Sequence, residues 1–258
     1  MISVAFILKF IVAAVGAGTP LLFGTVGEIM SEKVGHLNLG VEGMMAIGAV
    51  AGFAAGYATG NLAAAMAAAF LAGMLAALIY AVLTVGFMAN QNVIGLTLTI
   101  FGVGLSNFIG VYMIGKTDSN TWQLPAELIA QMKNVTIPVL SDIPVLGKLL
   151  FNYDPFTYVG IVIALLCGWY LFRTKTGLNV QAIGENPSAA DAASIQVTKW
   201  KYINILLGGG ICGIGGAYCS MVINGGVWIS DCVGGLGWIS VALVIFAAWR
   251  PQVAILGS

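Results

Sequence analysis

Long stretches without a charged residue are the feature that most limits how this chain can fold. No Asp, Glu, Lys or Arg occurs between Glu42 and Lys116. Further uncharged stretches cover residues 10–27, 155–172, 202–230 and 232–249. A charge at the centre of a membrane helix costs about 2.5–3.5 kcal/mol, and about 20 apolar residues cross the hydrocarbon core of a bilayer. These stretches therefore predict helices that span a membrane.

The overall composition excludes a soluble domain and supports no partner of opposite charge. Hydrophobic residues make up 59% of the chain and charged residues 8%, and the net charge is zero. Soluble domains carry roughly 25% charged residues, and binding to nucleic acid would need a basic surface. We expect an all-α, polytopic transmembrane helical bundle, a single domain over residues 1–258, that crosses the cell (inner or plasma) membrane several times.

The apolar stretches suggest about seven or eight membrane helices and a re-entrant segment. The predicted spans are residues 2–23, 62–88, 93–114, 155–172 and 202–223, with a last apolar stretch from residue 238. Residues 24–42 are predicted to interrupt the first spans, because they carry several polar groups and glycines. The shorter apolar stretch 43–57 either crosses or re-enters. Its glycines at positions 48, 52, 56 and 60 form a ridge that predicts close helix packing.

Basic residues indicate the orientation of two loops. Arg173, Lys175, Lys199 and Lys201 lie close to the ends of spans, which places the loop between them in the cytoplasm by the positive-inside rule. The loop 115–153 lies across a span from it and is expected outside. The orientation of the N-terminus stays open.

Two motif matches and the few ionisable residues give no catalytic or metal site. Residues 110–117 fit the P-loop pattern and residues 208–213 fit the dinucleotide-binding pattern, but neither follows a strand. The chain has one histidine, His36, and four cysteines without CxxC spacing, which suit packing better than metal binding. We expect no enzyme activity, no catalytic residue, no cofactor and no metal.

The predicted cytoplasmic loop contains a short helix with a strong start signal. Asn186 is a favoured N-cap, and Pro187 is favoured at the first helical position. The predicted helix, residues 188–195, carries small side chains that would fit a groove in a partner protein. A surface helix that only closes the loop accounts for the same pattern equally well.

Three segments of the chain resemble the ABC importer permeases that handle branched-chain amino acids, simple sugars and nucleosides. They are residues 177–195, residues 27–44 with the run Gly35-His36-Leu37-Asn38-Leu39-Gly40-Val41-Glu42-Gly43, and residues 237–246. The likeness extends over nearly the whole chain and is greatest to the nucleoside or simple-sugar branch. Members of this family continue with further helices, so we expect the final helices to lie beyond Ser258.

The resemblance implies a function and a set of partners. The chain would form half of a translocation pathway, completed by a second permease subunit, with an extracytoplasmic binding protein delivering the solute. A separate ABC ATPase would dock on the predicted short helix. The residues implied for this coupling are Gly184, Glu185, Asn186, Pro187, Ala189, Ala190, Asp191 and Ile195. The alternative is a secondary transporter driven by an ion gradient, for which acidic residues such as Glu28, Glu32 and Glu42 would form a proton relay.

Four polar residues are candidates for the translocation path. Asn38 and Glu42 stand one helical turn apart, where they would cap or pin a re-entrant segment. A cap on a helix start in water explains Glu42 equally well. Asn92 and Asn107 lie near or within a span, where they either contact the solute or, more commonly, join helices by hydrogen bonds.

Overall fold

Helices account for most of the part of the chain that the computed structural model describes, residues 4–136 and 152–258. They are α1 (Val4–Glu32), α2 (Val41–Thr59), α3 (Leu62–Ala81), α4 (Gln91–Ile114), α5 (Ala126–Gln131), α6 (Pro155–Arg173), α7 (Lys175–Glu185), α8 (Pro187–Ala192), α9 (Val197–Tyr218), α10 (Leu236–Phe246) and α11 (Pro251–Gly257). One π-helical turn follows α3 (Val82–Gly86) and another follows α9 (Cys219–Ile223). Two short strands, β1 (Val135–Thr136) and β2 (Asn152–Tyr153), pair antiparallel. The all-α prediction is confirmed.

Six helices in the described residues are long and apolar enough to cross a membrane. They are Lys9–Glu32, Val41–Thr59, Leu62–Gly86, Gln91–Ile114, Pro155–Arg173 and Val197–Ile223. The helices α10 and α11 meet at an angle of 117° and fit a re-entrant segment, and the count is seven if this bent pair is one span. A count of six falls below the predicted seven or eight, because a turn interrupts the last apolar stretch, and it reaches seven only if the bent pair is one span. The stretch 43–57, whose crossing was open, lies inside the 19-residue helix α2.

The predicted interruption at residues 24–42 begins too early, because α1 continues to Glu32. Polar side chains in this part of α1 have partners inside the bundle. The Thr25 hydroxyl donates to the Ser240 carbonyl oxygen at 3.2 Å, and the Glu28 carboxyl accepts the Asn38 backbone N–H at 2.7 Å. Polar residues in a membrane helix are tolerated when they face the protein interior. The helix therefore breaks only in the turn 33–40.

Small residues bring α2, α3 and α9 into backbone contact at the centre of the bundle. A Cβ atom on Gly48 would lie 2.3 Å from the Gly213 backbone, and one on Gly73 would lie 2.2 Å from the Gly209 carbonyl oxygen. Such close approach lets helices pack where lipid provides no hydrophobic drive. Of the predicted ridge in α2, Gly48 and Gly52 face α3 and α9, and Gly56 lies against the Leu128 side chain of α5. Gly60 ends the helix with a left-handed φ of 63°.

The turns of the chain gather at two ends of the bundle. At the end that carries α8, the Leu37 N–H donates to the Gln91 side chain at 3.0 Å. At the opposite end, the Leu124 N–H donates to the Gly226 carbonyl oxygen at 2.8 Å, and the Leu62 N–H donates to the Gln131 side chain at 3.2 Å. The loop with α8 and the described part of the loop 115–153 therefore lie at opposite ends of the bundle, and residues 137–151 of the latter loop are outside the described residues.

Replacing Gly48 with leucine tests the glycine contacts. The new side chain would collide with the α9 backbone, and we expect it to destabilise the bundle by at least about 1–3 kcal/mol, the usual cost of overpacking. The measurement is the thermal unfolding midpoint of the purified protein in detergent. Gly104→Leu is the matched control, because a Cβ atom there meets nothing within 4 Å. Equal midpoints for the two variants would contradict the packing described here.

Candidate functional site

Side chains at the two helix starts determine the shape of the α7–α8 segment, which we define as residues 174–195. The Thr174 hydroxyl oxygen accepts the Gly177 N–H at 3.0 Å, and the Asn186 side-chain oxygen accepts the Ala189 N–H at 3.0 Å. Both bonds satisfy amide groups that a helix leaves free at its start. The predicted cap at Asn186 and the predicted proline at the first helical position are confirmed.

The helix α8 ends at Ala192, three residues earlier than predicted. Ser194 has a left-handed backbone with φ of 62°. The Ile195 N–H donates to the Ala190 carbonyl oxygen at 3.0 Å, and the Ser194 N–H donates to the Asp191 carbonyl oxygen at 2.8 Å. These bonds form a Schellman motif, which terminates helices and commonly has glycine where this chain has serine. The missing glycine explains why the sequence did not reveal this end.

The exposed face of α8 carries mostly short side chains. Ala190 is buried and Ile195 is half-buried, and both hold the segment on the bundle. The exposed residues are Glu185, Asn186, Pro187, Ser188, Ala189, Asp191, Ala192, Ala193 and Ser194. None of these side chains is large and apolar, so the face presents helix backbone and short side chains to whatever lies beyond this end of the bundle.

Gly184 connects the α7–α8 segment directly to the turn after α1. A Cβ atom at Gly184 would lie 2.4 Å from the Lys33 carbonyl oxygen, so no larger residue fits. On the other side of this contact, Gly35 has φ of 81°, a conformation that favours glycine. The end of α7 therefore rests on the backbone of the turn 33–40 without an intervening side chain.

Asn38 shapes the turn 33–40 from within. Its side-chain oxygen accepts the Gly40 N–H at 2.9 Å, its side-chain nitrogen donates to the Met44 sulfur at 3.4 Å, and the residue is buried. Both polar atoms of its side chain thus have partners inside the protein. Asn38 therefore stabilises the turn that leads into α2. A contact between Asn38 and a solute stays a prediction.

His36 is buried in the same turn without a hydrogen-bond partner for either ring nitrogen among the described residues. Its ring lies edge-on to Tyr80 with the ring centroids 6.5 Å apart. Burial, and secondarily the charge of Lys201, lowers the pKa of His36 to about 4. The imidazole is therefore neutral at physiological pH.

Glu42 caps a helix that lies far from it in the sequence. Its two carboxyl oxygens accept the Gly235 N–H at 2.8 Å and the Gly237 N–H at 2.7 Å, at the start of α10. The residue is only 4% exposed, which contradicts the alternative of a cap in water. A negative charge at a helix N-terminus is stabilising, and more so away from water. Glu42 therefore holds the start of the bent pair α10–α11 in place. Its position on a translocation path stays a prediction.

Asn107 contacts the segment that leads into α10. Its side-chain oxygen accepts the Asp231 N–H at 2.8 Å, so it joins α4 to residues 231–237. Asn107 and Glu42 therefore hold the same segment from two helices. Asn92 lies apart from them, exposed in the first turn of α4.

Some contacts at the α8 end had no signal in the sequence. The Trp249 indole N–H donates to the Glu32 carboxyl group, which joins the turn between α10 and α11 to the end of α1. Lys33 lies over the Phe172 ring at 5.5 Å, and Arg250 lies over the same ring at 6.0 Å. No local pattern predicts such pairs, because the partners come together only through the fold.

The rejected motifs both continue from helices, so they lack the strand that their ligand-binding geometry needs. Residues 110–117 form the end of α4 and the turn after it, and residues 208–213 lie inside α9. Within residues 4–136 and 152–258, no group of three or more His, Cys, Asp or Glu side chains could hold a metal ion.

Comparison with known proteins gives a family match over most of the chain. Residues 10–258 match the family described as branched-chain amino acid transport system / permease component. The putative glucose ABC transporter permease protein TsgC13 of Haloferax volcanii is 33% identical over 95% of this chain and 72% of its own length. The nucleoside ABC transporter permease protein NupC of Lactococcus lactis is 33% identical over 93% of this chain and 75% of its own.

A further relative shows the same extent of similarity. The guanosine ABC transporter permease protein NupQ of Bacillus subtilis is 32% identical over 90% of this chain and 73% of its own length. No solved structure gives a significant match to the chain.

Replacing Glu42 with alanine tests its role as a cap. The change leaves the N–H groups of Gly235 and Gly237 unpaired at the start of α10, and the unpaired donor of buried Gly237 alone costs about 1–3 kcal/mol. We expect a lower thermal unfolding midpoint for Glu42→Ala and a smaller loss for Glu42→Gln, which keeps one acceptor. Glu127→Ala, an exposed acid in α5, is the control. A midpoint for Glu42→Ala equal to that of the control would contradict the capping role.

The burial of His36 leads us to expect that the folded protein loses stability in acid. Its pKa is near 6.5 in the unfolded chain and about 4 in the folded protein. The unfolded chain therefore binds a proton first as the pH falls, and up to about 3 kcal/mol is lost by about pH 4. The measurement is the thermal midpoint at neutral and acid pH for the wild type and His36→Phe. The phenylalanine variant should lose less stability on acidification, and an equal loss in both proteins would refute this source of acid sensitivity.

Proposed function

Because the chain belongs to the permease-component family of branched-chain amino acid transport systems, we propose that it forms half of the translocation pathway of an ABC importer for a nucleoside or a simple sugar. The chain itself is an integral membrane permease component. In the proposed assembly a second permease subunit completes the pathway, a separate ATPase supplies the energy, and an extracytoplasmic binding protein delivers the solute.

The observation that carries the proposal is the exposed face of α8. The helix has a capped start and short side chains on its exposed face. A helix of this kind can bind in a groove on the surface of another protein. Its residues Ala189 and Asp191 are exposed, whereas Ala190 faces the bundle. An ATPase subunit that binds this helix would transmit its conformational change to the permease at the α8 end.

A continuous set of contacts leads from α8 to α10 in the interior. Gly184 rests on the turn 33–40, this turn continues into α2, and Glu42 near the start of α2 holds the first residues of α10. We infer that a shift of the α7–α8 segment moves the turn and α10 together. Such a packed unit with two arrangements would open the pathway to one side of the membrane and then to the other.

The names of the relatives support the substrate class. Two of them are named for a nucleoside and for guanosine, and a third for glucose, at 32–33% identity over at least 90% of this chain. These solutes are uncharged at neutral pH. Spans without charged side chains suit uncharged solutes, and no Asp, Glu, Lys or Arg lies between Glu42 and Lys116.

Replacing Asp191 with lysine tests the proposed docking face. The side chain is exposed on α8, so the permease should fold and reach the membrane normally. We expect loss of copurification with the ATPase subunit, or loss of substrate-stimulated ATP hydrolysis, in detergent. Uptake of labelled nucleoside or sugar in cells should fall in parallel.

Asp118→Lys is the matched control, because Asp118 is an equally exposed acid in the turn after α4, at the opposite end of the bundle. It makes the same change of charge and should leave copurification and hydrolysis intact. Normal copurification and stimulated hydrolysis with Asp191→Lys would contradict the docking assignment. Uptake that follows an ion gradient in the absence of the ATPase would favour a secondary transporter instead.

A further inference from the structure

Two carboxyl groups one helical turn apart in α1 are in contact. Glu28 and Glu32 lie within hydrogen-bond reach of each other. Glu28 is fully buried, and Glu32 is half-buried at the α8 end of the helix. Neither residue takes part in the docking face or in the cap on α10.

The remaining partners of the two groups differ. One Glu28 oxygen, Oε1, accepts the Asn38 N–H at 2.7 Å, whereas Oε2 is buried without a donor among the described residues. Glu32 accepts the indole N–H of Trp249. The Glu28 oxygen without a donor is therefore an unsatisfied, fully buried group that lies against a second acid.

Protonation of one acid would remove the repulsion between the two carboxylates and give Glu28 Oε2 a hydrogen-bond partner. Two carboxylates in contact away from water repel each other strongly, so that one of them holds a proton. A buried acceptor without a donor also costs free energy. If Oε2 of Glu28 carries the proton, it becomes a donor and Glu32 is its acceptor. The other oxygen of Glu28 still accepts from Asn38.

We propose that Glu28 and Glu32 share one proton at neutral pH, carried by Glu28 Oε2 and donated to the Glu32 carboxylate. The result is an unbroken hydrogen-bonded chain from the Asn38 amide through both acids to the Trp249 indole. This proton joins the turn 33–40 to the turn between α10 and α11. The proposal does not depend on which solute the protein moves.

The groups around the pair favour a proton over another cation. Tyr80 of α3 and Cys212 of α9 face Glu28, and neither is a cation. Lys33 faces Glu185 and Arg250 near Glu32 rather than the buried Glu28. A metal ion would need more oxygen ligands than the two carboxyl groups supply. Glu32 lines a polar cavity with Lys33 and Glu185, and this cavity gives the proton a route to water.

Infrared spectroscopy of the full-length protein in lipid nanodiscs tests the proposal directly. A protonated carboxylic acid has a carbonyl-stretch band that a carboxylate lacks, and this band shifts when the protein is transferred to heavy water. We expect the band in the wild type at neutral pH and its loss in Glu28→Gln. Glu42→Gln is the matched control, since both oxygens of Glu42 already accept backbone N–H groups and neither lacks a donor as Glu28 Oε2 does.

Three outcomes would overturn the proposal: no band in the wild type at neutral pH, a band that persists in Glu28→Gln, or a band that disappears in Glu42→Gln. Glu32→Gln provides a second measurement that stands even if Glu28→Gln fails to fold. In that variant the repulsion between two carboxylates is gone and an amide can donate to Glu28 Oε2, so the band should shift or disappear. An unshifted band would show that the protonated acid is not in contact with Glu32.

Discussion

A helix that begins inside a membrane protein exposes amide groups that water cannot reach, and this constraint organises the structure described here. The helix α10 starts beside α2, and the carboxyl group of Glu42 accepts the N–H groups of Gly235, just before α10, and of Gly237 in its first turn. Without such an acceptor each of these groups would cost free energy on the order of a lost hydrogen bond. The bent pair α10–α11 can therefore sit among the spans only because α2 brings an acid to its start.

The same constraint explains how the α7–α8 segment is attached to the bundle. Its helices begin on Thr174 and Asn186, whose side chains accept the amide groups of the first turns. A side-chain bond also joins the segment to α6, since the Gln181 side-chain nitrogen donates to the Leu171 carbonyl oxygen at 2.6 Å. The segment contacts the bundle along its inner face, at Gly184 and Ala190 among others, and leaves its outer face free for another protein.

Features that depend on neighbouring residues were predictable from the sequence. The cost of a charge in lipid is a local property, so the uncharged stretches gave most of the spans. The cap at Asn186 and the glycine ridge in α2 also follow from residues close together in the chain. Asn38 and Glu42 could be identified as unusual polar residues for the same reason.

The partners of these residues could not be predicted, because the fold alone brings them together. Glu42 and Gly235 are 193 residues apart in the chain. The continuation of α1 past Gly24 depends on acceptors and donors at Ser240 and Asn38. The end of α8 was missed for a different reason, since Ser194 adopts a backbone conformation that usually indicates glycine.

The side of the membrane on which α8 lies tests the account most directly. Ser188 is exposed on this helix, and the native cysteines are buried or half-buried. Ser188→Cys can therefore be labelled with a thiol reagent that does not cross membranes. We predict labelling in inverted membrane vesicles, and protection when the ATPase subunit is bound. Labelling of intact cells from outside would contradict the account.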